Sequence, residues 1–170
     1  MSDHQNIIID RAHAFILMGP VGAGKSSLFN ALFGRDAEAQ KTQAVEYETD
    51  LGVDTPGEFF SHPRLYHALI NTAADVGTLV YVHAADDFSC RMPAGLMQIY
   101  EGKHLIAVLT KTDLPEANAE RVEALLRENG IKGPVFCTSI KQPESIVPLR
   151  QKLLDFRREA ESLKAREICQ

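Results

Sequence analysis

The sequence predicts an α/β domain with three layers: an open, mostly parallel six-stranded sheet with one antiparallel strand, and helices on both faces. Apolar segments of strand length alternate with amphipathic segments of helix length along the chain, as strands and crossover helices do. A glycine-rich turn joins the first apolar segment to the first amphipathic one. The 170 residues, 45% of them hydrophobic, suit one globular domain with a substantial core.

Each predicted strand is a short run rich in apolar or β-branched residues. The longer runs are continuously apolar, as expected of strands that a parallel sheet buries on both faces. The second and third runs are joined by a connection too tight for a crossover, so they are predicted to pair antiparallel. The six segments are Ala14–Gly19, Ala44–Thr49, Leu51–Thr55, Gly77–Ala85, His104–Thr110 and Gly133–Ser139.

The predicted helices place apolar residues at helical spacing on one face. Gly34 and Gly130 are expected to end the first and the fourth, because glycine readily adopts the left-handed conformation found at helix ends. The segments are Lys25 to Gly34, His62–Ala74, Pro93–Tyr100, Asn118–Asn129 and a charged helix from about Pro143 to the C-terminus.

Composition argues against several classes of protein. The net charge is −5 and no basic stripe is present, so a nucleic-acid partner is not expected. No apolar run reaches the ~18–20 residues of a membrane helix, so no membrane partner is expected and the cytoplasm is the expected location. The three cysteines form no CxxC pair and the histidines no HxxxH pattern, which argues against a zinc site.

The stretch from Gly19 to Ser26 fits the phosphate-binding pattern G-x-x-x-x-G-K-[ST] in full, between a predicted strand and a predicted helix. Its glycines let backbone N–H groups approach phosphate oxygens, and the helix that follows presents its positive end. Lys25 is predicted to reach the β- and γ-phosphates, and the Ser26 hydroxyl to hold Mg²⁺. The predicted nucleotide-binding residues here are Gly19, Val21, Gly22, Ala23, Gly24, Lys25, Ser26 and Ser27.

A second motif, Asp54-Thr55-Pro56-Gly57, begins with an aspartate and follows the third predicted strand. An aspartate at this position can hold a magnesium-bound water, as the corresponding aspartate of phosphate-loop NTPases does. The Gly57 N–H is predicted to reach a γ-phosphate. Thr42, in the preceding loop, either closes over Mg²⁺ or is an ordinary exposed threonine. The predicted metal ligands are therefore Ser26, Thr42 and Asp54.

The stretch Thr110-Lys111-Thr112-Asp113 follows the fifth predicted strand and is predicted to read the base. The Asp113 carboxylate can accept hydrogen bonds from guanine N1 and N2, whereas adenine has no such donor pair. The Lys111 stem is expected to pack over the purine. After the last strand, the backbone at Ser139 and Ile140 is predicted to place an N–H near guanine O6.

These elements occur in the order found in Ras-like small GTPases, with Thr110 where an asparagine is usual. In those proteins the asparagine normally connects the loop that reads the base (here the base loop, which begins at Thr110) to the phosphate loop. A weaker connection between the two loops is therefore expected here. Four stretches further resemble the EutP/PduV family of ethanolamine and propanediol utilisation, over roughly residues 14–155. The stretches are GPVGAGKSSLFNALFG, KTQAVEY, DTPGEF and LTKTDLP.

The resemblance implies a Ras-like P-loop NTPase domain over residues 14–157 that binds Mg²⁺ and GTP or GDP, with ATP as an alternative. It implies a role in bacterial microcompartment metabolism of ethanolamine or propanediol, as a slow GTPase. One alternative is an acetate kinase that transfers phosphate between ATP and acetate, and another is a nucleotide-bound structural module of the microcompartment. Residues 1–13 would be a disordered or shell-targeting extension and residues 158–170 a charged helical tail, with shell proteins or enzymes as partners.

Slow hydrolysis is expected because Glu58 stands where Ras-type proteins carry a glutamine that orients the attacking water. An ionised carboxylate is repelled by a γ-phosphate, so Glu58 acts as a base or is a solvated surface charge. Arg35 and Arg64 are candidates for a catalytic arginine by position only. His83 lies within a strand and is expected to be a core histidine. The catalytic candidates are Lys25, Asp54 and Glu58.

Overall fold

The structure is a computed structural model that describes residues 14–34, 46–48, 52–90, 92–93 and 95–168, with the backbone alone at 46–48, 53, 58, 99 and 168. The predicted extension 1–13, Arg35, Thr42 and the first residues of the second predicted strand lie outside these ranges. The described helices include none long and apolar enough to cross a membrane.

Six strands form one sheet in the order β2-β3-β1-β4-β5-β6. β2 and β3 pair antiparallel, and the other neighbours are parallel. The α/β class with a parallel sheet is therefore confirmed. The strands are β1 (Phe15–Met18), β2 (Glu46–Glu48), β3 (Gly52–Asp54), β4 (Thr78–Ala84), β5 (His104–Thr110) and β6 (Val135–Cys137).

The helices connect the parallel strands. They are α1 (Lys25–Leu32), α2 (Gly57–Ser61), α3 (Tyr66–Ala74), α4 (Leu96–Ile99), α5 (Ala119–Glu128) and α6 (Val147–Ile168), with 3-10 turns at Pro63–Leu65 and Pro143–Ile146. α5 begins with a cap, because the Asn118 side chain accepts a hydrogen bond from the Arg121 N–H at 3.0 Å. α6 is continuous through residue 157, where the sequence places the end of the domain.

The core lies on both faces of the sheet, because successive strand residues point to opposite sides. Ile16 and Met18 of β1 pack in one cluster with residues of α2, α3 and α5. Phe15 and Leu17 pack in a second cluster with residues of α1 and α6. The middle strands β1 and β4 are buried along their whole length, which accounts for their continuously apolar sequences.

Three helical segments differ from the sequence-based expectation. The segment 62–74 is split, because Pro63 begins a 3-10 turn before α3. The segment 93–100 contains only the short α4, which follows Gly95 in a left-handed conformation with φ of 78°. The short α2 at Gly57–Ser61 was not predicted, because D-T-P-G on its own is typical of a turn.

Parallel pairing brings the carboxyl ends of the strands to one edge of the sheet. Met18 aligns with Tyr81, and Ala84 aligns with Thr110. Leu17 aligns with Asp54 on the other side of β1. The phosphate loop, the D-T-P-G element and the base-reading stretch therefore meet at this edge, which is where α/β sheets of this kind bind ligands.

Candidate functional site

The phosphate loop runs from β1 to α1 and is closed by a hydrogen bond from the Ala23 N–H to the Pro20 carbonyl at 3.2 Å. Its first residue, Gly19, lies directly against β4. A Cβ atom at residue 19 would lie 2.1 Å from the Val82 carbonyl oxygen, closer than any side chain tolerates. The first glycine of the motif is therefore required by the sheet as well as by the phosphate chemistry.

Lys25 opens α1 and is 6% exposed. Its Nζ donates hydrogen bonds to the carbonyl oxygens of Gly19 and Pro20, each at 3.0 Å. The ammonium group is therefore held inside the curve of the loop, where the motif predicts the phosphates to bind. Ser27 follows within the first turn of α1.

Ser26, in the first turn of α1, and Asp54, at the end of β3, come together. The Ser26 hydroxyl donates to Asp54 Oδ2 at 2.7 Å, and the Asp54 side chain is completely buried at the end of β3. The Thr55 hydroxyl donates to the Leu17 carbonyl oxygen at 2.7 Å and fixes this end of β3 to β1. A hydroxyl and a carboxylate are hard oxygen donors of the kind that Mg²⁺ prefers, so these two predicted ligands fit the metal.

The glycine of the second element packs directly on the phosphate loop. A Cβ atom at residue 57 would lie 2.7 Å from the Val21 Cα and 2.8 Å from the Val21 nitrogen. Gly57 is also the first residue of α2. The contact therefore joins the phosphate loop to the start of that helix through backbone atoms.

Thr110, at the end of β5, ties the base loop to the phosphate loop. Its hydroxyl donates to the Ala23 carbonyl oxygen at 2.5 Å, and both residues are buried. The Thr110 side chain also packs closely against Gly24. A Cβ atom at residue 24 would lie 3.3 Å from Thr110 Oγ1, so a glycine leaves the threonine the room that it needs. The threonine side chain therefore bonds the two loops directly, and a bond weaker than that of an asparagine stays a prediction.

Asp113 is oriented by the loop that follows β6. The Ser139 hydroxyl donates to Asp113 Oδ1 at 2.5 Å, and Lys141 Nζ lies 3.3 Å from Oδ2. The hydrogen bond from Ser139, together with Lys141, lowers the pKa of Asp113 below its usual value. The carboxylate is therefore held in one orientation and kept ionised, as a hydrogen-bond acceptor for a base must be.

The loop of Ser139 is itself fixed by short-range hydrogen bonds. The Ser139 N–H donates to Ser145 Oγ at 2.9 Å, and the Lys141 N–H donates to Ser139 Oγ at 3.1 Å. The Thr112 hydroxyl donates to the Thr138 carbonyl oxygen at 3.1 Å and links this loop to the base-reading stretch. Ile140 lies at the tip, with 59% of its surface exposed.

A polar cavity of about 210 Å³ lies between the phosphate loop and the loop after β4. Lys111, whose φ of 58° is the one positive value among the described non-glycine residues, lines it together with Asp86 and Asp87. The two aspartates were not among the predicted site residues. Their position directly after a buried strand is a signal that could have identified them.

His83 is confirmed as a core histidine. It is completely buried, its Nδ1 lies 3.1 Å from the Tyr81 hydroxyl, and its Nε2 lies 2.8 Å from the Asp87 carbonyl oxygen. A carbonyl can only accept, so Nε2 carries the proton and Nδ1 accepts from the tyrosine. His83 thus holds the backbone of Asp87, one of the residues that line the polar cavity.

Three other predicted residues are not brought into this cluster by any contact that the structure describes. Glu58 is the second residue of α2, and its side chain lies outside the described part of the chain. His62 and Arg64 are exposed around the 3-10 turn. Within the described ranges no three His, Cys, Asp or Glu side chains form a group that could hold a metal alone.

Lys141 is a site residue that sequence reasoning missed. At this loop the sequence predicts only a role for the backbone of Ser139 and Ile140, whereas the structure shows the Lys141 side chain paired with Asp113. The pairing depends on the turn that brings residue 141 back over the base loop. Spacing along the sequence does not specify that turn.

Solved structures with the same fold include two translation factors. The bacterial selenocysteine-specific elongation factor EF-Sec matches with a TM-score of 0.60 and 21% identity. SelB from Methanococcus maripaludis, in complex with the GTP analogue GppNHp, matches with a TM-score of 0.62 and 17% identity. Each match covers 84% of this chain but only 28% and 33% of those proteins, respectively. The likeness shows the GTPase-like fold of one part of each.

Relatives of similar length carry two names. A protein named "Probable acetate kinase EutP" from Salmonella typhimurium is 50% identical over 139 residues, which are 82% of this chain and 85% of the relative. The Escherichia coli K12 protein of the same name is 49% identical over 139 residues, with the same coverage. The "Propanediol utilization protein PduV" of Citrobacter freundii is 30% identical over 129 residues, 74% of this chain and 83% of the relative.

The family model described as "Ethanolamine utilisation - propanediol utilisation" matches residues 12–155. This range contains every element of the site, from the phosphate loop to the loop of Ser139 and Lys141. The chain belongs to the PduV-EutP family of ethanolamine and propanediol utilisation.

Proposed function

We propose that this protein binds a guanine nucleotide with Mg²⁺ and hydrolyses GTP slowly, in the service of ethanolamine or propanediol utilisation. The observation that carries the proposal is the hydrogen bond from Thr110 to the Ala23 carbonyl oxygen. It joins a phosphate-binding loop to a loop whose carboxylate is already oriented. A ligand that satisfies both loops has phosphates at one end and a pair of hydrogen-bond donors at the other.

The guanine preference is supported by the state of Asp113. Its carboxylate is ionised and held by Ser139, so it can accept from N1–H and from the N2 amino group. Against adenine the carboxylate would face a ring nitrogen that is itself an acceptor. A carboxylate that meets an acceptor in place of its two donors contributes less to binding, so GDP is expected to bind more tightly than ADP.

The metal is proposed to lie beside Ser26 and Asp54. Their 2.7 Å hydrogen bond supports the proposal, because it shows that a hydroxyl and a buried carboxylate converge at the opening of the phosphate loop. Bound there, Mg²⁺ would supply positive charge to the β- and γ-phosphates. Thr42 stays a proposed third ligand that lies outside the described residues.

Slow hydrolysis is proposed because of the glutamate at position 58. A glutamine at this point donates a hydrogen bond while it orients the attacking water, whereas an ionised glutamate cannot donate. We expect turnover below ~1 s⁻¹ for the purified protein, equivalent to a barrier of roughly 17 kcal/mol or more. Replacing Glu58 with glutamine should then raise the rate.

The first experiment measures affinity for GDP and ADP by calorimetry in the presence of Mg²⁺. We expect Lys25→Ala to abolish binding of both, and Asp113→Ala to weaken GDP while leaving ADP unchanged. Lys132→Ala is the matched control, because Lys132 is an exposed lysine just before β6, at the opposite edge of the sheet. Equal GDP affinities in the wild type and in Asp113→Ala would overturn the guanine preference.

The second experiment separates hydrolysis from phosphate transfer. The protein is incubated with Mg²⁺, GTP or ATP, and acetate, and acetyl phosphate and inorganic phosphate are measured separately. Slow release of inorganic phosphate, lost in Lys25→Ala, supports the proposal. Acetyl phosphate that depends on acetate would instead support the activity in the names of the Salmonella and Escherichia relatives. If neither product forms, the remaining interpretation is a structural module that binds the nucleotide without turning it over.

A further inference from the structure

A second cavity, of about 400 Å³, lies at the amino end of β5, between the ends of α4 and α5. It is lined by Tyr100, which follows α4, by Leu105, near the start of β5, and by Asn129, which follows α5. Leu105 stands five positions before Thr110 on β5, about 16 Å away at roughly 3.3 Å per residue. The cavity is therefore separate from the proposed nucleotide site, and its volume is in the range of small-molecule pockets.

Tyr100 carries a hydrogen-bond donor that the described part of the chain does not use. The residue is 5% exposed, and its hydroxyl oxygen is buried and has no hydrogen-bond partner among the described residues. Burial raises the pKa of Tyr100 to about 12, so the hydroxyl keeps its proton at neutral pH. Buried polar groups in folded proteins nearly always have a partner, because an unpaired one destabilises the fold. A ligand oxygen in the cavity that Tyr100 lines would be such a partner.

The charged side chains of the described lining favour an anion. They are Lys103, Lys132 and Glu101, so the positive charges outnumber the negative one. Lys103 Nζ donates to the carbonyl oxygens of Ala74 at 2.8 Å and Val76 at 2.5 Å, which leaves the third proton of the ammonium for a ligand. Burial lowers the pKa of Lys103, because the ammonium has lost part of its hydration. A nearby anion would restore that stabilisation.

Much of the remaining wall is apolar. It includes one buried side chain, Leu96, and three half-buried ones, Met92, Met97 and Leu105. Methionine is unbranched and changes rotamer easily, so these side chains can move aside when a ligand reaches the Tyr100 hydroxyl. A ligand that suits both the wall and the donors has a short apolar chain and an anionic group with acceptor oxygens. An aliphatic carboxylate has both, whereas inorganic phosphate would leave the apolar wall uncovered.

We propose that this cavity is a second binding site, which takes small carboxylates with a short apolar chain. The Tyr100 hydroxyl donates to the carboxylate and fixes its orientation, and Lys103 and Lys132 supply the opposite charge. The methionines and leucines of the wall pack against the chain. The inference does not rest on the proposed function, because none of the described residues that line this cavity belongs to the phosphate loop or the base loop.

The test uses the methionine methyl groups as NMR probes while hexanoate is added at neutral pH. The chain has four methionines, of which Met92 and Met97 line the cavity, whereas Met18 is completely buried at the end of β1, just before the phosphate loop. We expect the signals of Met92 and Met97 to shift to saturation and that of Met18 to stay in place. The absence of a saturable shift at Met92 and Met97 would overturn the inference.

Two further probes test the class of ligand. Hexylammonium has the same chain with the opposite charge, and inorganic phosphate is an anion without a chain. Each should bind at least about tenfold more weakly than hexanoate. Binding of either probe as tight as that of hexanoate would refute the assignment to carboxylates. GDP with Mg²⁺ at saturation should leave the hexanoate shifts unchanged, and their loss would place hexanoate in the nucleotide site and overturn the inference.

Two variants locate the contacts. Tyr100→Phe and Lys132→Ala should each weaken hexanoate binding about three- to tenfold, whereas Lys152→Ala, on α6 and outside the described lining, should leave it unchanged. Tyr100→Phe should also keep or raise the urea midpoint of unfolding at neutral pH, because the hydroxyl that it removes is unpaired among the described residues. A lower midpoint would show that the hydroxyl already has a partner within the protein. That result, or hexanoate binding by Tyr100→Phe as tight as in the wild type, would overturn the inference.

Discussion

Replacing Thr110 with valine would remove the hydrogen bond between the base loop and the phosphate loop and change little else. Valine has nearly the shape of threonine, so the packing against Gly24 is kept. The Ala23 carbonyl oxygen is buried and accepts from no other donor among the described residues, so it would lose its partner. A buried carbonyl left without a donor costs about 1–3 kcal/mol in the free energy of unfolding.

For a chain of this size, each kcal/mol lowers the melting temperature by about 2–4 °C. Thr110→Val should therefore melt about 2–12 °C below the wild type. The free energy of unfolding is measured by urea titration followed by circular dichroism, with thermal melting as a second readout. The variant should also bind GDP more weakly, since the two loops are no longer joined.

Thr138→Val is the matched control for this prediction. It removes another buried threonine hydroxyl, but the Leu109 carbonyl oxygen keeps the Thr138 N–H at 2.7 Å as a donor. Its loss of stability should therefore be smaller, below about 1.5 kcal/mol. A loss in Thr110→Val no greater than that in Thr138→Val would refute the role assigned to the Thr110 hydrogen bond.

Three further predictions follow from single contacts. Gly19→Ala should unfold the protein or prevent soluble expression, measured by circular dichroism, because its Cβ would lie 2.1 Å from the Val82 oxygen. Burial raises the pKa of Tyr100 to about 12 from 10.0, so stability should fall as pH rises from about 10 to 12, and Tyr100→Phe should remove this fall in urea titrations. Ser139→Ala should raise the pKa of Asp113 toward 3.8, which a carboxyl carbon NMR titration measures. As acid is added, the stability that the ionised Asp113 contributes should then be lost at a higher pH in the variant than in the wild type. An unchanged pH dependence in Tyr100→Phe, or an unchanged titration in Ser139→Ala, would contradict the assigned contacts.

The sequence was sufficient for the features that depend on neighbouring residues. The phosphate loop could be located because its glycines, Lys25 and Ser26 are contiguous between a strand and a helix. The meeting of Asp54 and Thr110 at one sheet edge follows from parallel pairing, which the alternation of strands and helices predicts. His83 was placed in the core because it stands in a continuously buried strand.

Features that depend on tertiary contacts could not be predicted. Nothing near residue 113 in the sequence indicates that Lys141 pairs with it, and the strength of the Thr110 tie depends on how closely Ala23 approaches. The α2 helix begins at a glycine within a turn-like sequence, so local propensity argues against it. Each of these results from the packing of one loop on another.

The contact between Gly57 and Val21 has a consequence for how substitutions in the two motifs would be interpreted. Only a hydrogen atom fits between residue 57 and the backbone of Val21, so a methyl group added at 57 acts on the phosphate loop. A genetic screen for folded variants and a screen for nucleotide binding would both reject larger residues at position 57. The physical reason is the same in both screens, because the added side chain collides with the backbone of Val21. The two motifs lie far apart in the sequence, but mutationally they form one site.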